Sequence, residues 1–361
     1  KELLYFMFGL GKKKGPQEVS LNSGEYSFEV EPDQNILDAA LKAGVAFPHD
    51  CRVGSCGSCA CKLTDGKIKP TADFSYVLDG KQLDDGMILA CQSRAQTPVS
   101  IDVSIDGEAK VSATKKYMGK VKKVTSLTHD IMELTLEVDG LEHTGAAGQY
   151  SEVLVKQVGS TRSYSFAKAP QNENSNELTF YIRNVPKGRF SRWLFSKDPT
   201  GQKIEVNTPY GSFYYRDGKG TMVCIAGGSG MSAVKAVLEQ AAIDQVQRDA
   251  VFLFGARTQE DIYCQAELEE IQKKWNPDYK FEYVYVLNME PEDSDWTGAR
   301  GLVTDFLKSD YIEKGKLDMK ACQGFLCGPP PMIDAAIKEF TAEGMPNEEI
   351  FFDKFLDSGS K

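Results

Sequence analysis

The sequence predicts three unlike modules in series: a small module of sheet and helix, an antiparallel β-barrel, and an α/β module with a parallel sheet. Three observations carry this. Residues 17–112 hold two short strands, a short helix and a loop dense in Cys and Gly. Residues 119–206 hold several β-type runs with turn residues between them, the spacing of an antiparallel barrel. From residue 221 short apolar strands alternate with helical stretches, which implies a parallel sheet covered on both faces. A length of 361 residues suits two or three domains. The expected boundaries are 1–16 (a leader segment), 17–112, 113–216 and 217–361.

Along the chain, Glu18–Leu21 and Tyr26–Val30 read as strands joined by the turn Asn22-Ser23-Gly24. Ile36 to Gly44 reads as a helix closed by its glycine. The Cys-rich loop follows, and Ile101–Val103 reads as the last strand of the module. The barrel strands are expected at Gly119–Val124, Ile131–Val138, Tyr150–Val155 and Leu178–Ile182. The α/β module is expected to run as strand Thr221–Ala226, helix Ser232–Ala242, strand Ala250–Phe254, helix Ala266–Trp275, strand Phe281–Leu287, helix Thr304–Leu307, strand Gly324–Cys327 and helix Met332–Glu339. No internal repeat and no low-complexity tract interrupts this order.

Composition excludes several classes. Hydrophobic residues make 41% and charged residues 26%, the balance of a globular protein. No run approaches the ~20 apolar residues that span a bilayer, so a cytoplasmic chain is expected. Leu3–Leu10 is apolar and Lys12-Lys13-Lys14 follows; a packed or frayed terminus is the expectation there, and the initial Lys suggests that residues precede it. Net charge is −10 and unevenly spread. Residues 17–112 hold 8 Lys/Arg against 15 Asp/Glu, whereas residues 113–216 hold 15 against 10. An acidic surface argues against nucleic acid and steers encounters with basic partners, though it also serves solubility alone. The three His (His49, His129, His143) do not cluster, so a His-rich metal site is not expected.

The strongest chemical signal is Cys51-Arg-Val-Gly-Ser-Cys56-Gly-Ser-Cys59 with a distant Cys91. That is the plant-type spacing for a [2Fe–2S] cluster. Gly54, Ser55, Gly57 and Ser58 are small enough for the chain to curl round an inorganic core and to aim backbone N–H groups at sulfur. Structural zinc prefers two close Cys pairs, and here Cys91 stands alone. A disulfide framework fits poorly with nine Cys and no visible signal peptide. Cys61 is expected to be a buried strand residue. Such a cluster handles one electron at a time.

Arg162-Ser163-Tyr164-Ser165 and, some 25 residues on, Gly188-Arg189-Phe190-Ser191 carry the second signal. An Arg fork, a backbone glycine and a hydroxyl at a helix start suit a pyrophosphate, and Tyr164 offers an aromatic face. In this order and in a barrel, they resemble the ferredoxin–NAD(P) reductase family. Gly148-Gln149-Tyr150 and Pro209-Tyr210-Gly211-Ser212-Phe213 resemble two further turns of that family, with Ala147 and Thr208 as departures. The resemblance implies FAD held by Arg162, Ser163, Tyr164, Ser165, Ile182, Arg183, Gly188, Phe190 and Ser191, with Ser165 at the reactive flavin nitrogen.

Gly227-Gly228-Ser229-Gly230 lies between a strand and a helix, where backbone can approach a pyrophosphate. It is not the G-x-G-x-x-G fingerprint, but it matches the family's G-G-x-G. Cys327-Gly328-Pro329-Pro330-Pro331-Met332 matches the family's C-G-P-P-x-M. The resemblance implies that Cys327, Gly328 and Pro329 border the nicotinamide, with Cys327 catalytic beside Ser165. Phe351-Phe352-Asp353-Lys354-Phe355 resembles an aromatic tail beside the flavin, which implicates Phe352; packing against a neighbouring domain is the alternative. Arg257 could serve a 2′-phosphate, but Glu260 and Asp261 sit close by, so NADH is expected over NADPH.

From about Val19 to Phe355 the chain resembles the reductase components of bacterial multicomponent oxygenases, with ferredoxin module first, FAD barrel second and NAD module last. The resemblance implies a β-grasp ferredoxin domain, NADH-dependent electron transfer through FAD and the cluster to an oxygenase of aromatic hydrocarbon catabolism, and a monomer when free. The alternatives are a quinone or a separate ferredoxin as acceptor, and a redox-sensing binding protein.

Overall fold

The computed structural model describes residues 15–105, 114–142, 145–170 and 176–355. The expectations for Leu3–Leu10, the Lys run and Val111–Ala113 lie outside the described residues. The chain divides into two compact units, one ending at Ala113 and one beginning at Thr114.

The first unit contains β1 (Gln17–Leu21), β2 (Tyr26–Val30), α1 (Ile36–Lys42), β3 (Ala60–Asp65), β4 (Ile68–Pro70), α2 (Gly80–Asp84), β5 (Met87–Leu89), β6 (Ser93–Ala95) and β7 (Val99–Asp102). Its main sheet has the order β2-β1-β7-β3-β5, with the first and last strands, β1 and β7, paired in parallel. The hairpin turn holds Asn22, Ser23 and Gly24 at positive φ, the conformation short polar residues and glycine tolerate best. The Asn35 side chain caps α1 by accepting from the Asp38 N–H at 2.7 Å. Ile36, Leu37, Ala39, Ala40 and Leu41 bury the helix against β2 and the turn that carries Cys91.

The second unit opens with β8 (Lys115–Ser126), β9 (Ile131–Val138), β10 (Tyr150–Val155), β11 (Ser160–Ser165), β12 (Glu177–Arg183), α3 (Arg189–Ser196) and β13 (Lys203–Tyr210). The antiparallel order is β11-β10-β13-β8-β9-β12, and a Phe166–Phe180 bridge brings the two edges together into a nearly closed barrel. Its core includes Val121, Leu134, Leu136, Phe180 and Ile204, and α3 plugs it with Phe190 and Leu194. The strand β13 was not expected; Ile204 and Val206 alternate with Lys203, Glu205 and Asn207, the period-2 pattern of a half-buried strand.

The unit continues with β14 (Met222–Gly227), α4 (Met231–Ile243), β15 (Ala250–Ala256), α5 (Gln265–Lys274), β16 (Phe281–Leu287), β17 (Ala299–Arg300), α6 (Val303–Leu307), β18 (Gln323–Gly328), α7 (Pro330–Ala342) and β19 (Ile350–Lys354). All pairs are parallel in the order β17-β16-β15-β14-β18-β19, which places the change of winding direction between β14 and β18. One face packs on α4 and α5 and on the barrel residues Ile131, Ala167, Tyr181 and Phe213. The other packs on α6 and α7. The segment Ile350–Lys354 is thus the sixth strand of the sheet.

Two buried charges tie the second unit together. Lys235, on α4, lies 3.6 Å from Glu239, whose carboxylate also accepts the Ala169 N–H of the barrel at 2.9 Å. The buried Arg248 guanidinium donates to Gln323 Oε1 at 2.8 Å and to the Arg216 carbonyl at 2.7 Å. Arg248→Ala strands both acceptors and opens a void. The expected cost is about 2–4 kcal/mol, read as a lower thermal midpoint by flavin fluorescence; an unchanged midpoint would count against this role.

Candidate functional site

In the first unit the Cys loop has no regular secondary structure, yet it is held at both ends. Arg52, in a left-handed conformation, anchors to Asp38 of α1 at 2.6 Å. Gly54 and Gly57 also take positive φ, and a Cβ on Gly54 would stand 2.6 Å from the Gln92 side chain next to Cys91. The result is convergence of the four sulfurs. Cys59 and Cys91 lie 3.2 Å apart, the Ser55 N–H donates to Cys51 Sγ at 3.4 Å, and Cys51 and Cys56 are hydrogen-bonded. In each pair the hydrogen bond from the partner draws one thiol down, Cys51 to about 4 and Cys91 likewise downward, while Cys56 and Cys59 are pushed up. Four thiolates in so small a space repel one another, and cationic iron relieves that repulsion. The donor set therefore fits a [2Fe–2S] cluster. Cys51 and Cys56 lie on its partly exposed side, with Val53 64% exposed between them; Cys59 and Cys91 are buried. Cys61 is buried on β3 and its thiol is pushed up to about 12, mainly by burial.

In the second unit β11 presents Arg162, Ser163, Tyr164 and Ser165 in turn. Ser163 is exposed, Arg162 and Tyr164 are half-buried and Ser165 is buried. The Arg162 guanidinium donates to the Thr161 carbonyl at 2.7 Å. The Tyr164 ring rests on Phe190 at 5.2 Å, which brings the start of α3 and its N-cap Gly188 beside it. No side chain caps that helix start, so its first N–H groups suit a phosphate. Four of the residues expected at FAD are engaged within the protein itself. Ser191 Oγ accepts the Val185 N–H at 3.1 Å and braces the turn before α3. Ile182 and Phe190 point into the barrel core. Arg183 is engaged with Asp130 at 3.1 Å.

The two glycine-bearing turns of the α/β module pack back to back. A Cβ on Gly230 would stand 2.3 Å from the Cys327 carbonyl oxygen, and one on Gly227 would stand 2.9 Å from Met332 Sδ. Gly228, by contrast, has φ +55 and only open space around its missing side chain, the cradle that a pyrophosphate needs. The Ser229 carbonyl accepts from Ser232 Oγ at 2.8 Å. Tyr263 fixes the turn by donating its hydroxyl to the Gly228 carbonyl at 2.8 Å.

One contact joins barrel and sheet where no motif predicted it. Ser165 Oγ donates to Asp353 Oδ2 at 3.2 Å, and Asp353 lies opposite Cys327 in the β18–β19 ladder. Ser165 and Cys327 thus flank a buried carboxylate. Asp353 was missed because its only sequence signal is a lone acid inside the apolar run Phe351–Phe355. Phe352 falls on the other side of the strand and packs with the α6–α7 core; Phe351 and Asp353 take the barrel-facing positions.

Comparisons with known proteins agree with this geometry. Residues 19–96 match the 2Fe-2S iron-sulfur cluster binding domain, 118–215 the oxidoreductase FAD-binding domain, and 224–338 the oxidoreductase NAD-binding domain. The xylene/toluene monooxygenase electron transfer component of Pseudomonas putida is 38% identical, over 94% of this chain and 93% of its own. The phenol hydroxylase P5 protein of Acinetobacter pittii is 31% identical, over 94% and 95%. This chain belongs to the reductase components of multicomponent oxygenases. Among solved structures, the reductase is similar to an Amycolatopsis cytochrome P450 reductase (TM-score 0.81, 28% identity, 94% and 98% covered) and to the ferredoxin reductase of carbazole 1,9a-dioxygenase (TM-score 0.72, 28% identity, 94% and 98% covered). It is an NAD(P)H-dependent oxidoreductase of FAD and a [2Fe–2S] cluster, with the fold expected from its sequence. Among the described residues no helix is long and apolar enough to cross a membrane.

Gly230→Ala in the reductase drives a methyl into the Cys327 carbonyl. Since displacement of a site by about 1 Å costs on the order of a hundredfold, kcat/KM for NADH with a dye acceptor is expected to fall by about tenfold to a hundredfold. Iron content should not change. Unaltered NADH kinetics would mean that the turn and the β18 tip do not form the coenzyme site.

Proposed function

We propose that this reductase takes electrons from NADH and passes them through FAD and the Cys51–Cys56–Cys59–Cys91 cluster to a separate oxygenase component that it meets as a monomer. The observation that carries this reading is the junction of Ser165, Asp353 and Cys327, where barrel and nucleotide module share one buried site. When bound, flavin supplies the conversion of a hydride pair into single electrons, and the cluster supplies a one-electron store. The remaining work belongs to the protein.

Arg162 and the uncapped start of α3 at Gly188 hold a diphosphate by charge and N–H donors. Tyr164, with its hydroxyl kept protonated by burial, gives a flat apolar wall backed by Phe190. Asp353 takes the Ser165 hydroxyl proton in a hydrogen bond, which leaves the hydroxyl oxygen as an acceptor for the reacting face. Cys327 is fully buried and closes the nicotinamide side to water. Gly228 leaves room for the coenzyme diphosphate, flanked by Gly227, Ser229 and Gly230 and by Gly328 and Pro329. Arg257, the basic group after β15, is already paired with Asp261 at 2.5 Å and Asp130 at 3.1 Å; NADH is favoured over NADPH for that reason. On the first unit, Val53 and the acidic surface suit a basic partner that docks near the cluster.

The test is Cys56→Ala in the full chain. NADH oxidation with a dye acceptor should remain within about twofold of wild type, because the second unit is untouched, while reduction of cytochrome c or of the oxygenase should fall by at least about a hundredfold. Equal loss of both activities would contradict this order of transfer.

A further inference from the structure

The ion cluster around Arg257 joins the barrel to the coenzyme side of the sheet and has no part in the electron path above. Arg257 follows the last residue of β15, the strand next to β14 and its glycine turn. Tyr263, at the far end of the same connection, is tied to Gly228. In a doubly wound sheet the group at this strand end reads the ribose 2′ position: a carboxylate selects the hydroxyl of NAD, an Arg accommodates the phosphate of NADP. An Arg standing free here would recruit NADPH.

Arg257 is paired from two directions while its side chain stays 42% exposed. Asp261 takes its Nε at 3.2 Å and its terminal nitrogen at 2.5 Å. Asp130 takes the same terminal nitrogen at 3.1 Å from across the domain contact, 127 residues away in sequence. Neither carboxylate is loosely placed. The Thr258 N–H donates to Asp261 at 3.0 Å, and Asp130 is held by Thr128 Oγ1 at 3.1 Å and by Arg183 Nε at 3.1 Å. His129 stands 4.0 Å from Asp261 and Glu260 is exposed beside it. Arg257 and Arg183 balance Asp130 and Asp261, so the site offers a phosphate dianion no net positive charge.

We propose that Asp130, a barrel residue, is a specificity-determining residue for the coenzyme. Together with Asp261 it engages Arg257 and so excludes a 2′-phosphate. The inference rests on the reading of NADH as donor and of the glycine turn as its diphosphate site. It adds that the choice is enforced from the flavin domain, through a residue that touches neither coenzyme. Neutralising Asp130 removes one negative charge from the cluster and releases one N–H of Arg257, on the nitrogen that Asp261 still holds, for a phosphate oxygen.

The experiment uses the full-length reductase loaded with both prosthetic groups, with a dye acceptor. In Asp130→Asn the ratio of kcat/KM for NADPH over NADH should rise about tenfold or more, the worth of one charge-assisted hydrogen bond. Inhibition of NADH oxidation by 2′,5′-ADP should tighten by a similar factor, with 5′-AMP unchanged. The gain should vanish in Asp130→Asn/Arg257→Gln. Asp261→Asn removes the other arm and should shift the ratio in the same direction if the first variant does not fold. An unchanged ratio in a folded variant, or equal losses with NADPH and NADH, would overturn the proposal and leave the cluster a purely structural bridge. Failure of 5′-AMP to inhibit the wild-type enzyme would instead refute the underlying coenzyme site.

Discussion

The arrangement of the second unit depends on one close approach: the turn after β14 against the tip of β18. Parallel strands that diverge at a change of winding direction leave a crevice at their carboxyl ends, and ligands of open α/β sheets bind there. Here the crevice floor is backbone against backbone, with Gly230 at the Cys327 carbonyl and Gly328 at Gly227. Side chains at these positions would force the two ends apart. Their absence brings Cys327 close to the glycine turn, and the β18–β19 register then sets Asp353 beside Cys327. Once those positions are set, the barrel needs only one strand end, Ser165, to complete the junction.

The barrel is fastened to this floor by polar contacts as well as apolar ones. Lys235, Glu239 and the Ala169 N–H form one tie, and Arg248 with the Arg216 carbonyl forms another. Tyr181 and Tyr263 meet edge-on across the contact at 5.7 Å, and burial keeps both hydroxyls protonated. Buried charges of this kind cost desolvation and repay it only when their geometry is met. They therefore favour a single orientation of barrel and sheet more than they favour cohesion. A hydride transfer site split between two domains requires such an orientation, because a displacement of about 1 Å is costly.

How much of this was legible in the sequence depends on the range of the constraint. The Cys51–Cys59 loop could be read because a cluster imposes its spacing locally, and Ile131–Val138, Tyr150–Val155 and Phe281–Leu287 could be read because apolar and β-branched runs declare themselves. The strand β13 carries the period-2 alternation, but only Ile204 and Val206 supply it before the polar Asn207 and Thr208. Phe352 was placed on the flavin side because aromatic content carries no parity: only the pairing of β19 with β18 decides which of Phe351 and Phe352 faces the barrel. Asp353 meets Ser165 across 188 residues, and Asp130 meets Arg257 across 127. No local pattern encodes either.

Those two long-range carboxylates make opposite use of the same chemistry. Asp353 is buried and accepts from the Ser165 hydroxyl, so at the junction it fixes the setting of a neutral group. Asp130 lies at the rim between two guanidinium groups, and there its charge is spent on neutralising them. Burial and the two cations oppose each other in setting its acidity, and the Arg183 and Arg257 contacts prevail, so Asp130 stays ionised. A carboxylate in the reacting crevice thus fixes a hydroxyl by taking its proton in a hydrogen bond, whereas a carboxylate at the coenzyme's far end removes a phosphate site. The barrel contributes to both ends of the coenzyme crevice, through Ser165 at one and Asp130 at the other, and the sheet alone would determine neither.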